Sequence, residues 1–268
     1  MAGHSVQEAL AAGDLPGAIA AQKAAIRQAP TVPEPRFLLF QLQCLAGDWT
    51  GAANQLAAQR KLLPAESPFL QMLEGLVKAE TVREEVFRGV KAPKILGEPA
   101  AWIAPLVRAL ESGVQGRTEE AAALRRQAWE ESPGEAGSLN GEPFAWLTDG
   151  DSRLGPVLEI VLNGTYFWVP QARVRKLAVQ APEQPRDLVW ALGQITLETG
   201  ADLPVFLPAR YPFAAAWSDD ALRLGRATEW DSPAEGTFEG RGQKVWMTEA
   251  AEHGLLAARN LEIGQPAA

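Results

Sequence analysis

The chain has one cysteine, two histidines, two tyrosines and three methionines in 268 residues, and no uninterrupted apolar run long enough to cross a membrane. Cys44 alone cannot form an intramolecular disulfide, so thiol chemistry gives an oxidising compartment no support. His4 and His253 lie far apart, with no cysteine or second histidine at ligand spacing, and no metal site is expected. Positive charge is also scarce: 25 Lys and Arg face 33 Asp and Glu, a formal charge of -8 that offers a phosphate backbone no attraction. Nucleic acid and membrane are therefore excluded as expected partners. The opening Met-Ala-Gly-His-Ser-Val-Gln-Glu lacks the basic and apolar regions of a signal peptide, and a soluble cytoplasmic protein is expected.

Catalytic and cofactor signatures are missing as well. Gly240-Arg241-Gly242-Gln243-Lys244 has glycines and basic residues without the Gly-Lys-Ser/Thr order of a phosphate loop, and it reads as a mobile hairpin turn. No Gly-x-Ser-x-Gly elbow occurs. Asp149-Gly150-Asp151 begins like a calcium loop, but Leu154 stands where glycine is required and Ile160 where the final carboxylate belongs. No cofactor is expected.

What the chain does have is 47% hydrophobic residues in two contrasting textures. The first part is rich in Ala, Leu, Gln and Glu at helical spacing. The second carries Val, Ile and aromatic runs broken by Gly and Pro. Turn chemistry at Ser132-Pro133-Gly134 marks the change, which divides the chain into a helical domain at 1–136 and a β-rich domain at 137–268. Ala12-Gly13-Asp14 recurs as Ala46-Gly47-Asp48 and Pro30 as Pro64, a displacement of about 34 residues that is the tetratricopeptide period. A third unit runs from Gly116 through Ala121 to Pro133 with the same glycine-to-proline spacing. Glycine supplies a left-handed helix end, Ala18, Ala52 and Ala121 allow close helix approach, and proline stops the second helix. Ser67–Gly89 adds helix, with Phe69, Met72, Leu73, Leu76 and Val77 at i, i+3, i+4 spacing.

In the second part, Val157–Leu162 and Thr165–Val169 flank Asn163-Gly164, the strongest short hairpin signal. Val174–Val179, Leu188–Leu197, Val205–Leu207, Lys244–Thr248 and Ala258–Ile263 are further strands, and Ser218 is the expected cap of a short helix. The fold class is α+β: tetratricopeptide-like helical hairpins followed by a compact, mostly antiparallel β-rich domain. Asp149, Asp151 and Arg153, ahead of Gly155-Pro156, read as a brace at the start of the hairpin, where an Asp-Arg pair would lower the carboxylate pKa. The rival reading makes Asp149, Asp151 and Arg153 the lining of an enzyme pocket of unknown reaction. Gly97-Glu98-Pro99-x-Ala101-Trp102 is echoed by Gly141-Glu142-Pro143-x-Ala145-Trp146, which reads as one helix-starting staple used twice.

Several of these segments together resemble the ImpE family, also called TagJ or SciE-type. They are Gly141–Trp146, Asp149–Glu159, Asn163-Gly164-x-Tyr166-x-Trp168-Val169-Pro170, Arg210-Tyr211-Pro212, Phe37–Leu42, Arg186–Trp190 and Thr228-Glu229-Trp230. Ala209 stands where the family pattern has threonine. The resemblance implies a non-enzymatic accessory of the bacterial type VI secretion system. Its implied partners are the contractile sheath, through the small sheath subunit, and the ClpV disassembly ATPase. Stacked hairpins would leave a concave groove for a partner helix, with Arg36, Phe37, Phe40, Gln43 and Trp49 as the expected docking residues.

Overall fold

A computed structural model describes residues 5–264, and His4 lies outside them. The helices come first: α1 (Val6–Ala11), α2 (Leu15–Gln28), α3 (Pro33–Ala46), α4 (Trp49–Leu62), α5 (Ser67–Phe87), then a two-residue strand β1 (Lys94–Ile95), α6 (Ile103–Val114) and α7 (Thr118–Glu131). The repeat landmarks do the work their spacing implies. Asp14 and Asp48 cap α2 and α4 by accepting from the Gly17 and Gly51 amides, while Gly13, Gly47 and Gly116 take φ of 79°, 72° and 75°. Ala18, Ala52 and Ala121 are buried between helices. Helices α1 to α5 pack in sequence, and α6 and α7 form their own hairpin beyond α5.

The remaining strands are β2 (Gly137–Leu139), β3 (Glu142–Phe144), β4 (Leu147–Asp149), β5 (Val157–Leu162), β6 (Thr165–Pro170), β7 (Val174–Val179), β8 (Trp190–Leu197) and β9 (Asp202–Pro208). After the short helix α8 (Asp220–Arg223) come β10 (Thr228–Asp231), β11 (Glu239–Gly242), β12 (Val245–Thr248), β13 (Glu252–Gly254) and β14 (Asn260–Ile263). Nine strands make one sheet in the order β1-β6-β5-β9-β8-β7-β14-β2-β3, antiparallel except at β1-β6. Smaller sheets, β13-β12-β4 and β10-β11, close the β-rich part. Asn163 and Gly164 turn the β5-β6 hairpin at φ of 50° and 71°. A Cβ on Gly164 would lie 3.0 Å from the Gly75 Cα, so two glycines let this turn rest directly on α5.

Local readings change in four places. Asp219, not Ser218, caps α8, because its carboxylate reaches the Ala221 amide. The Gly240–Lys244 segment is no mobile turn: Gly240 and Gly242 lie in β11, and the Tyr211 ring covers Gly240. Trp102 does precede a helix, but Glu142–Phe144 is a strand and Trp146 is exposed. The second echo fails because Asn140 and Gly141, at φ of 54° and 88°, turn a β2-β3 hairpin there. Finally, the inner face of the helices is not an open hollow. Phe40, Leu42 and Leu45 of α3 join Trp168, Val189, Trp190 and Leu224 in one core, so the β-rich part fills the space that a partner was expected to occupy.

Candidate functional site

Strand β5 is apolar on both sides except at Glu159, and period-2 alternation decides where that carboxylate goes. Val157 and Val161 face the helices, Leu158 and Ile160 face the second core, and Glu159 therefore points at α5. There it meets Arg83, which donates through Nε at 2.6 Å and Nη2 at 3.0 Å in a bidentate fork. Arg83 also reaches Glu80 at 3.2 Å and the Arg210 carbonyl at 2.8 Å. Lys244 Nζ bridges Glu159 and Asp149, Tyr166 donates to Glu159 at 2.5 Å, and Trp168 donates to Tyr166 at 2.7 Å. Trp190 satisfies the other oxygen of Glu80 at 3.0 Å.

The predicted brace is the outer end of this network. Arg153 clasps Asp151 through Nε at 2.9 Å and Nη2 at 2.5 Å, and the Gly240 amide adds a third bond to Asp151. Burial pushes the Asp151 carboxyl up, but Arg153 and these hydrogen bonds outweigh it and hold the group below its ordinary value. Asp149 goes the other way: burial, opposed by Lys244 and reinforced by Asp151, raises it to about 6. Burial is more than offset at Glu159, where Arg83 and Lys244 bring the carboxyl down to about 2. The Asp-Arg pair is Asp151 with Arg153, and its carboxyl is the lowered one; Asp149 pairs with Lys244 and is raised. Gly155 turns at φ of 55° against the Trp129 ring, and the Pro156 carbonyl accepts from Gln171.

Asp149 gives the fold a measurable pH signature. Folded, it holds its proton more tightly than in the unfolded chain, so between its ordinary value of 3.8 and about 6 the folded state binds more protons and stability falls as pH rises. The fall is on the order of 2–3 kcal/mol. Asp149→Asn removes it, and urea midpoints collected across that window, at constant m, check the outcome.

The expected docking residues are dispersed by this geometry. Phe40 (0% exposed) and Gln43 (5%) are sealed inside the molecule, so neither can touch a partner. Trp49 packs on Trp190 and donates to Glu84 at 2.8 Å. Arg36 lies at the helix start, donating to the Pro30 carbonyl. Phe37 alone sits in an open cleft, of about 330 Å³, together with Leu38, Gln41, Leu63, Phe69 and Leu70. A second cleft, of about 480 Å³, adjoins it through Phe69 and is lined by Met72, Leu76, Val161 and Phe206. The Arg186 guanidinium lies 5.8 Å from the Phe37 ring centre and 5.4 Å from that of Phe69, and it stands between the two clefts. Among the described residues no group of three or more His, Cys, Asp or Glu is placed to hold a metal ion, and no helix is long and apolar enough to cross a membrane.

Sequence reasoning gave no site role to Arg83, Glu80, Glu159, Lys244 and Arg210, although Glu159 and Arg210 lie in segments that carry the family resemblance. A lone glutamate inside Val-Leu-Glu-Ile-Val-Leu was the available signal, since an unpaired carboxylate there would be too costly to keep.

These features define an α+β protein in which helical hairpins of tetratricopeptide proportions are clasped to a β-rich part by buried ion pairs. The ImpE protein model matches residues 141–262. The chain is 42% identical over 258 residues to the type VI secretion system accessory component TagJ of Pseudomonas aeruginosa, covering 96% of this chain and 90% of that protein. The crystal structure of protein VPA1032 from Vibrio parahaemolyticus superposes with a TM-score of 0.90 at 27% identity, over 97% of this chain and 98% of that one. This chain belongs to the ImpE family and is a homologue of TagJ.

Proposed function

We propose that the protein is a non-enzymatic adaptor of the type VI secretion system that holds a helix of the small sheath subunit in the two clefts beside α3 and α5. Its second link is to the ClpV disassembly ATPase. One observation carries the docking site. The apolar stripe of α5 splits, with Leu73, Leu76 and Val77 buried while Phe69 (37%) and Met72 (38%) stay exposed beside Phe37. Glu34, Glu66, Glu183 and Asp187 rim the two clefts, so the fitting occupant is an amphipathic helix with an apolar stripe and basic flanks. This moves the docking surface from the filled inner face to clefts at the edge between the helices and the β-rich part, and it retains Phe37 among the residues first singled out.

The enzyme reading draws on the raised pKa of Asp149, which suits a general base. Against it, Asp149 is 3% exposed and bonded by Lys244, Tyr211 and the Asp151 amide, so no substrate reaches it. The docking reading is tested with the full chain and purified small sheath subunit in a calorimetric titration. Phe69→Glu is expected to weaken binding by about tenfold or more without altering the melting temperature. Equal binding by wild type and variant would remove the groove from the interface, and no binding by wild type would remove the sheath as partner.

A further inference from the structure

A third cleft, of about 320 Å³, lies at the C-terminal end of α5, between the α6-α7 hairpin and the β-rich part. It is independent of the docking groove and shares no lining residue with it. Three guanidiniums line it: Arg88, Arg125 and Arg153. Arg88 lies 4.9 Å from the Phe213 ring centre and Arg153 lies 5.0 Å from that of Phe87, so two of the three cations are stacked on aromatic faces that also wall the cleft.

Four features are unusual for a cleft with only a structural role. Arg125 is 3% exposed, its Nη2 donates to Glu239 at 3.0 Å, and its buried Nε has no acceptor. A guanidinium kept from water with an unmet donor is destabilising unless something else supplies an acceptor. The N-terminus of α7, a 14-residue helix, opens at Thr118 on the same cleft, and Arg117 in its cap position makes no side-chain cap. Its first amides and dipole favour negative charge there. Phe213 holds a φ of 72°, a left-handed conformation that a bulky side chain adopts at a cost. Glu239, the one carboxylate in the lining, spans Arg125 at 3.0 Å and Arg153 at 3.2 Å, and so marks where an oxyanion rests between the two cations.

The geometry points to a binding site for a small anionic ligand: a phosphate or carboxylate held by Arg125, Arg153 and the start of α7, carried on an apolar or aromatic body that packs on Phe87 and Phe213. Arginine forks suit either oxyanion. Glu239 lies on the rim strand β11 and is 29% exposed at its side chain, so it can yield its place to the incoming group. Arg88 closes the mouth over Phe213.

Calorimetric titration of the full chain with phenyl phosphate, benzoate and uncharged benzyl alcohol tests the site. Saturable binding of phenyl phosphate, of benzoate, or of both is expected, weakening with added salt, and the tighter of the two identifies the oxyanion. Benzyl alcohol is expected not to bind. Val114→Glu places a negative charge on an exposed position of the lining, and Arg88→Ala removes an exposed cation; each should weaken binding by about tenfold with the circular dichroism spectrum unchanged. The site is overturned if neither anion binds saturably, if benzyl alcohol binds as well as the anions, or if both variants bind like wild type.

Discussion

Arg83→Met is expected to destabilise the protein by about 4 kcal/mol, the range for removing one partner from a buried ion pair. Arg83, Arg153, Arg210 and Lys244 are buried together with Glu80, Glu159, Asp149 and Asp151. Methionine fills much of the volume but removes the fork to Glu159, the bond to Glu80 and the donor to the Arg210 carbonyl. Glu159 keeps Lys244 and Tyr166, so the loss stops short of unfolding. Pairing the change with Glu159→Gln should recover part of it, because the second substitution takes away the charge that the first left exposed to its like neighbours. Urea denaturation of the two single variants and the double variant closes the cycle. A single-variant loss under about 1 kcal/mol would mean the network is incidental to stability.

Arg210→Ala is expected to cost a similar amount, about 4 kcal/mol, for a different reason. Among the described residues Arg210 has no carboxylate partner at salt-bridge distance. It donates to the carbonyls of Cys44 at 3.0 Å, Leu45 at 2.7 Å, and Arg223, and burial lowers its pKa to about 10. The first two carbonyls belong to the last turn of α3, where a helix has unsatisfied acceptors and a negative dipole end. Alanine takes the guanidinium donor from the Leu45 and Arg223 carbonyls, leaves the Cys44 carbonyl with the Gly47 amide, and opens a void beside Trp217. Arg210→Lys keeps the charge but cannot span three acceptors with the same planar fork, so it should recover a minority of the loss. Hydrogen exchange would place the effect in the last turn of α3 first, since its carbonyls lose their ties before the sheet does.

The helical repeat was legible because its causes are local. A glycine that must turn left-handed, an aspartate that must cap and a proline that must stop a helix act within a few residues of where they stand. The Asn163-Gly164 hairpin was legible for the same reason. Asn140-Gly141 carried an equal signal, but a motif echo that favoured a helix start obscured it, and the φ values of 54° and 88° settle the matter. The buried charge network was not legible, because Arg83 bonds to Arg210 across 127 residues of chain and its members meet only after the sheet packs on α5. The Asp151-Arg153 pair was legible because its members are two residues apart; the partner of Asp149 was not, because Lys244 lies 95 residues away. The docking residues suffered from the opposite error. Apolar spacing marks which side of a helix is buried or contacted, but does not tell which of two apolar sides the rest of the same chain will claim.

The shared core also governs how this molecule can be dissected. Severing the chain where helices give way to strands, between Glu131 and Gly137, would lay bare Phe40, Leu42, Trp168 and Trp190 at once and strand Glu159 without Arg83. Such fragments would be sticky, and their adhesion to bait columns would mimic recognition. Point changes in the intact polypeptide are the cleaner tool for locating whatever it grips.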